Sequence, residues 1–91
     1  MKKNLPLVVW INGGPGASSM AGLFYENGYL RATKFGTTDD DFIVNVAPEG
    51  SWISEANIIY LDQPVGVGFS YGDPIITRMD VGAEEFVNFM L

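Results

Sequence analysis

Two stretches of this chain, Leu7-Val8-Val9-Trp10-Ile11 and Asn57-Ile58-Ile59-Tyr60-Leu61, carry apolar side chains at consecutive positions with no polar alternation. A strand with one wet face alternates apolar and polar residues, because successive side chains point to opposite faces. An unbroken run instead predicts a strand covered on both faces, the situation of a parallel sheet flanked by helices. Parallel neighbours need a crossover, and the intervening sequence offers one. Over Ser18–Asn27, the residues Met20, Leu23, Phe24 and Asn27 share one helical face, Ser18 or Ser19 can cap the start, and Gly28 can stop it. The expected fold class is therefore α/β, with Leu7–Ile11 and Asn57–Leu61 as neighbouring parallel strands joined through a helix.

The other segments fit around that unit. Arg31–Asp41 reads as a loop, Phe42–Val46 as a short strand ended by Pro48-Glu49-Gly50, and Asp62–Pro74 as a turn-rich stretch holding Pro64, Gly66, Gly68, Gly72 and Pro74. Thr77-x-x-Asp80 has the form of a capping box, followed by a stripe of Met79, Ala83, Phe86, Val87 and Met90, so a second helix is predicted there. It runs to Leu91 with no cap, as though the element were cut short. At 91 residues the chain holds one domain at most.

Composition removes several classes of function. The net charge is −6 and the five basic residues are scattered, so neither nucleic acid nor an anionic membrane surface is an expected partner. The longest apolar run, Leu5 to Ile11 around Pro6, is far below the roughly 20 residues that cross a bilayer. Lys2 and Lys3 precede it, but it ends in Asn12-Gly13-Gly14 and reads as a strand rather than a signal peptide. Asp39-Asp40-Asp41 lies in a Gly/Thr-rich stretch and reads as a solvated loop, not a metal site. No cofactor and no metal are expected. The chain contains neither Cys nor His, so thiolate catalysis, disulfides and a histidine general base are all excluded within it.

Three motifs could carry chemistry. The turn Asn12-Gly13-Gly14-Pro15-Gly16 follows the first strand and precedes a helix, where backbone N–H groups can approach a carboxylate, a phosphate or a developing oxyanion. It does not continue into a dinucleotide or P-loop fingerprint. Gly68-Phe69-Ser70-Tyr71-Gly72 matches the G-x-S-x-G pattern of a nucleophile elbow, yet it lacks the strand before and the helix after, so Ser70 is expected to serve a turn. Glu26 falls one turn beyond Gly22 at the end of the predicted helix, usually a surface position.

Taken together, the blocks Pro6 to Gly16, Gly22-Leu23-Phe24-Tyr25-Glu26-Asn27-Gly28, Ser51-Trp52, Ala56-Asn57 and Leu61-Asp62-Gln63-Pro64-Val65-Gly66-Val67-Gly68-Phe69-Ser70-Tyr71 closely resemble the serine carboxypeptidase family. The resemblance implies an α/β-hydrolase fold, with residues 1–91 forming part of that domain without the triad-bearing remainder. By the same resemblance Asn12, Gly13 and Glu26 bind the C-terminal carboxylate of a peptide or protein substrate, and the Gly14 N–H is one of two oxyanion-hole donors. Two ionised carboxylates at one site repel, so Glu26 and the substrate would share a proton, which suits an acidic working pH. The family is usually secreted, vacuolar or lysosomal.

The departures matter as well. Ala17 stands where the family usually has a disulfide-forming Cys, and Ile53 where it usually has Asn. The nucleophilic Ser, the Asp and the His of the family follow later and are absent here. The expectation is a serine-type carboxypeptidase segment, inactive alone, whose remaining partner is the rest of the domain. Two alternatives stand beside it: a non-catalytic module that binds peptide C-termini, and a segment of a serine carboxypeptidase-like acyltransferase.

Overall fold

The computed structural model describes residues 3–46 and 49–91. Strand β1 (Leu7–Trp10) pairs in parallel with the later strand β4 (Asn57–Tyr60), in the register Val8↔Ile58 and Trp10↔Tyr60. Both are half-covered through most of their length, and their ladder extends at its ends through Asn57 N–H to Pro6 O (2.8 Å) and Leu61 N–H to Trp10 O (3.1 Å). The parallel pair expected from the two apolar runs is present.

The crossover differs in detail from the expected helix over 18–27. Helical residues begin at Met20, and Gly22–Glu26 is wound as a π-turn, with the Asn27 and Gly28 N–H groups both donating to Gly22 O (3.0 and 3.2 Å). Ser18 is the residue that caps, its Oγ accepting from Met20 N–H (3.2 Å). Ser19 has no exposed surface and is used elsewhere. Glycine at position 22 has a steric reason. A Cβ at Gly22 would collide with the Trp10 indole, so only glycine lets the turn sit against the end of β1.

The loop expected over 31–41 is in part a strand. Strand β2 (Leu30–Lys34) pairs antiparallel with β3 (Phe42–Val46), Leu30 opposite Val46 and Lys34 opposite Phe42. Only residues 35–41 form the connection, closed by Phe35 N–H to Asp41 O (3.0 Å) and by Thr38 N–H to the Asp41 carboxylate (2.9 Å). Hydrogen bonds from the Thr38 backbone and side chain hold the Asp41 pKa below the usual carboxylate range. The expected end of β3 at Pro48 lies outside the described residues.

Helix α1 (Met79–Met90) forms where expected, but the capping box does not: Arg78 is the cap residue and no side chain caps the turn. Asp80 pairs with Arg78 instead. The expected stripe is not the packed face either. Met79, Val87 and Met90 are exposed, while Gly82 is buried against Gln63 and Pro64, and Gln63 Nε2 donates to Gly82 O (2.6 Å).

Ala56 and Val67 are the buried apolar residues among those described; Ser19, Asn27, Ser51 and Asp62 are buried polar ones. The molecule is a slab of 40 × 39 × 18 Å with a Cα radius of gyration of 15.1 Å, against about 12 Å for a compact domain of this length. What holds the described residues around the Gly-rich turn is thus largely polar.

Candidate functional site

The site grows from the end of β1. Trp10 and Asn12 are two residues apart in extended chain, so their side chains project to the same side. Trp10 Nε1 donates to Asn12 Oδ1 (2.8 Å), and the Gly22 N–H donates to the same oxygen (3.1 Å). Two N–H donors on one atom identify it as the amide oxygen, which fixes the orientation of the side chain. Asn12 Nδ2 is thereby turned toward Glu26 and donates to its Oε1 (2.7 Å). The Trp10 indole is itself braced edge-on by Trp52, with ring centroids 5.4 Å apart and planes at 87°.

Gly13 and Gly14 continue from Asn12 on the exposed side of the turn. Neither N–H is hydrogen-bonded to another described residue. Gly14 and Gly16 have φ of +145° and +95°, conformations that disfavour a side chain and let the chain double back toward Ser18. Of the four residues read from the sequence, Asn12 and Glu26 are in direct contact, and Gly13 and Gly14 adjoin Asn12 in the chain.

Beneath the turn lies a buried polar cluster. Ser19 Oγ accepts from the Asn12 backbone N–H (3.0 Å) and donates to Leu61 O at the end of β4. Asp62, at 9% exposure, accepts from Ser18 Oγ (2.8 Å) and Ser19 N–H (2.7 Å) on Oδ1, and from Phe69 N–H (2.9 Å) on Oδ2. Burial pushes its pKa up, but the bonds from Phe69, Ser18 and Ser19 outweigh burial and hold it below the usual carboxylate value.

Ser70 sits in the turn that closes over Asp62. Its hydroxyl donates to Asp62 O (2.6 Å) and its N–H to Val67 O (2.9 Å), a turn role with no elbow around it. On the other flank Tyr60 Oη donates to Asn27 Oδ1 (2.9 Å), and Trp52 N–H donates to Asn27 O (3.0 Å). Burial, with the nearby Glu26 carboxylate, pushes the Tyr60 pKa up.

Sequence reasoning missed Trp10, Ser18, Ser19 and Asp62 as parts of the site's frame. For Trp10 a signal existed in its two-residue spacing from Asn12. For Asp62 it was an acidic residue placed directly after a buried strand. Among the described residues no group of three or more acidic side chains could hold a metal, and no helix is long and apolar enough to cross a membrane.

Comparisons with known proteins agree with the motifs. The serine carboxypeptidase family matches over residues 1–91. Carboxypeptidase S1 of Penicillium janthinellum is 53% identical over 85 residues, 93% of this chain and 19% of that protein. Serine carboxypeptidase-like 14 of Arabidopsis thaliana is 49% identical over 85 residues, 91% of this chain and 19% of that protein. The crystal structure of a prohormone-processing carboxypeptidase from Saccharomyces cerevisiae superposes with a TM-score of 0.74 at 33% identity, covering 94% of this chain and 18% of that one. The chain thus spans about a fifth of the length of the relatives it matches, and its strands and crossover are part of an α/β-hydrolase fold. With the whole sequence matched and the structure aligned over nearly all of it, the chain belongs to the serine carboxypeptidase family.

Proposed function

We propose that residues 12–26 grip the free C-terminal carboxylate of a peptide and supply one oxyanion donor for hydrolysis of its last peptide bond. The observation that carries this reading is the hydrogen bond from Asn12 Nδ2 to Glu26 Oε1, made by an amide whose oxygen is already held by two donors. One Nδ2 proton is left for an incoming carboxylate oxygen, with the Gly13 N–H beside it. Glu26 meets the second oxygen through a shared proton, since two adjacent anions would repel. The Gly14 N–H, one residue on, faces the carbonyl oxygen of the scissile bond as it gains negative charge. A preorganised amide donor in that position is typically worth about 10²–10³ in rate.

The chain's own share of the reaction is recognition and charge stabilisation. It has no His to accept a hydroxyl proton, and the Ser70 hydroxyl is committed to Asp62 O. Nucleophile, base and second oxyanion donor come from the triad-bearing part of a complete domain, which makes residues 1–91 inactive alone. A secreted or vacuolar setting fits a carboxylate pair that shares a proton. Peptide C-termini are the partners this turn would take, and a net charge of −6 with scattered basic residues offers no cationic surface for nucleic acid or an anionic membrane.

The test uses a chimera, the full-length Saccharomyces carboxypeptidase carrying residues 1–91 in place of its matching segment. Its kcat/KM is measured for one peptide with a free C-terminal carboxylate and for the same peptide as its C-terminal amide. Asn12→Ala and Glu26→Ala should each reduce the preference for the free acid by about tenfold or more, in line with loss of a charge-assisted hydrogen bond. An unchanged preference in both variants would overturn the reading.

A further inference from the structure

Asp62 makes no hydrogen bond to Asn12, Gly13, Gly14 or Glu26 themselves, yet its carboxylate ties together the two segments that flank the site. On one side it holds residues 18 and 19, through the Ser18 hydroxyl and the Ser19 N–H. On the other it holds Phe69 N–H, in the turn that follows β4. Ser19, so placed, takes the Asn12 backbone N–H on its hydroxyl and passes its own proton to Leu61 O. The chain from Asn12 to Ser19 is therefore anchored at both ends to the Leu61–Asp62 junction, and everything between them, Gly13 and Gly14 included, is suspended from those anchors.

A second feature shows that the carboxylate's position is built rather than incidental. Gly68 has φ +54°, and a Cβ there would collide with Asp62 Oδ2. The backbone of the following turn therefore approaches the carboxylate more closely than any residue with a Cβ at position 68 would allow. Ser70 Oγ closes the turn from behind by donating to Asp62 O (2.6 Å).

The geometry points to Asp62 as a positioning residue of the carboxylate site: acting through Ser18 and Ser19, it sets the path of the Asn12–Ser19 turn and so the direction of the Asn12 side-chain amide and the Gly13 N–H. This rests on the proposed carboxylate-binding role of that turn. The ionised carboxylate is needed because all its partners are donors. An amide at position 62 would have to turn one N–H toward the Phe69 N–H or toward the Ser18 and Ser19 donors, and the turn would have to move away. Displacement by about 1 Å at a site that orients a substrate can cost on the order of 10²-fold in rate.

The test compares Asp62→Asn with the parent chimera, reading the ratio of kcat/KM for the free-acid peptide to that for its amide. A residue that only stabilises the fold lowers both values together, whereas one that aims the carboxylate donors lowers the free-acid value selectively. The expected result is a fall in the ratio of about tenfold or more, expressed mainly in KM for the free acid. A ratio within twofold of the parent overturns the proposal, whatever happens to stability. Should Asp62→Asn fail to fold, Ser18→Ala, which removes one of the three donors, is read in the same way. There a fall of about threefold supports the proposal and an unchanged ratio overturns it. Asn12→Ala separates the two claims. If it lowers the ratio and the position-62 and position-18 variants do not, only the positioning role fails; if Asn12→Ala itself leaves the ratio unchanged, the carboxylate reading fails first.

Discussion

Single residues in this chain are held by hydrogen bonds whose direction can be assigned, and their consequences can be measured. Gly22 is the sharpest case. Its N–H fixes the Asn12 oxygen, and its missing Cβ leaves room for the Trp10 indole. Gly22→Ala should destabilise the chimera by about 1–3 kcal/mol through overpacking, and reduce free-acid preference with it. Urea unfolding and the paired peptide assay would check both.

Asp62 makes a pH prediction at the same scale. Its folded pKa is depressed, so its contribution to stability is fully present above the unfolded value near 3.9 and is lost as pH falls through the folded value. Stability of the parent should therefore drop more than that of Asp62→Asn as pH is lowered below about 4. Parallel losses in urea unfolding would contradict this.

At the scale of elements, the apolar runs at Leu7–Ile11 and Asn57–Leu61 were legible as parallel strands because their unalternated pattern suits strands covered on both faces, although here they are only half-covered. Phe42–Val46 was legible as a strand from its own composition. Its partner Leu30–Lys34 was not, because Arg31, Thr33 and Lys34 dilute the β signal and pairing with β3, rather than local preference, makes it a strand. In the site, Asn12, Gly13, Gly14 and Glu26 could be picked out by resemblance. The hydrogen bonds beneath them could not, since Ser18 and Ser19 lie more than forty residues from Asp62 in sequence.

Helix α1 teaches a related lesson. Periodicity identified an amphipathic helix, yet the side that packs is set by Gly82 and Gln63, not by the Met79–Met90 stripe. Gln63→Ala should loosen α1 by about 1 kcal/mol, seen as faster amide exchange in that helix with little change at β1 and β4.

At the scale of the whole molecule, there are among the described residues two separate two-stranded sheets, little buried apolar surface, and exposed Leu7, Ile43, Val44, Val46, Phe89 and Leu91. Two-stranded sheets are marginal in water on their own, and parallel pairs are normally covered on both faces. Residues 1–91 in isolation should therefore unfold without a cooperative transition, bind a hydrophobic dye and associate. A sharp urea transition with a monomeric sedimentation profile would show that the polar cluster around Asp62 suffices to hold the chain.

The central claim is that Asn12, Gly13 and Glu26 recognise a peptide carboxylate. The most direct measurement follows the Asn12 Nδ2 and Gly13 N–H resonances in a segmentally ¹⁵N-labelled chimera as a peptide is added, once as the free acid and once as the amide. The account predicts that these two signals shift together with the free acid and barely respond to the amide. Equal shifts with both peptides, or shifts confined to other residues, would contradict it.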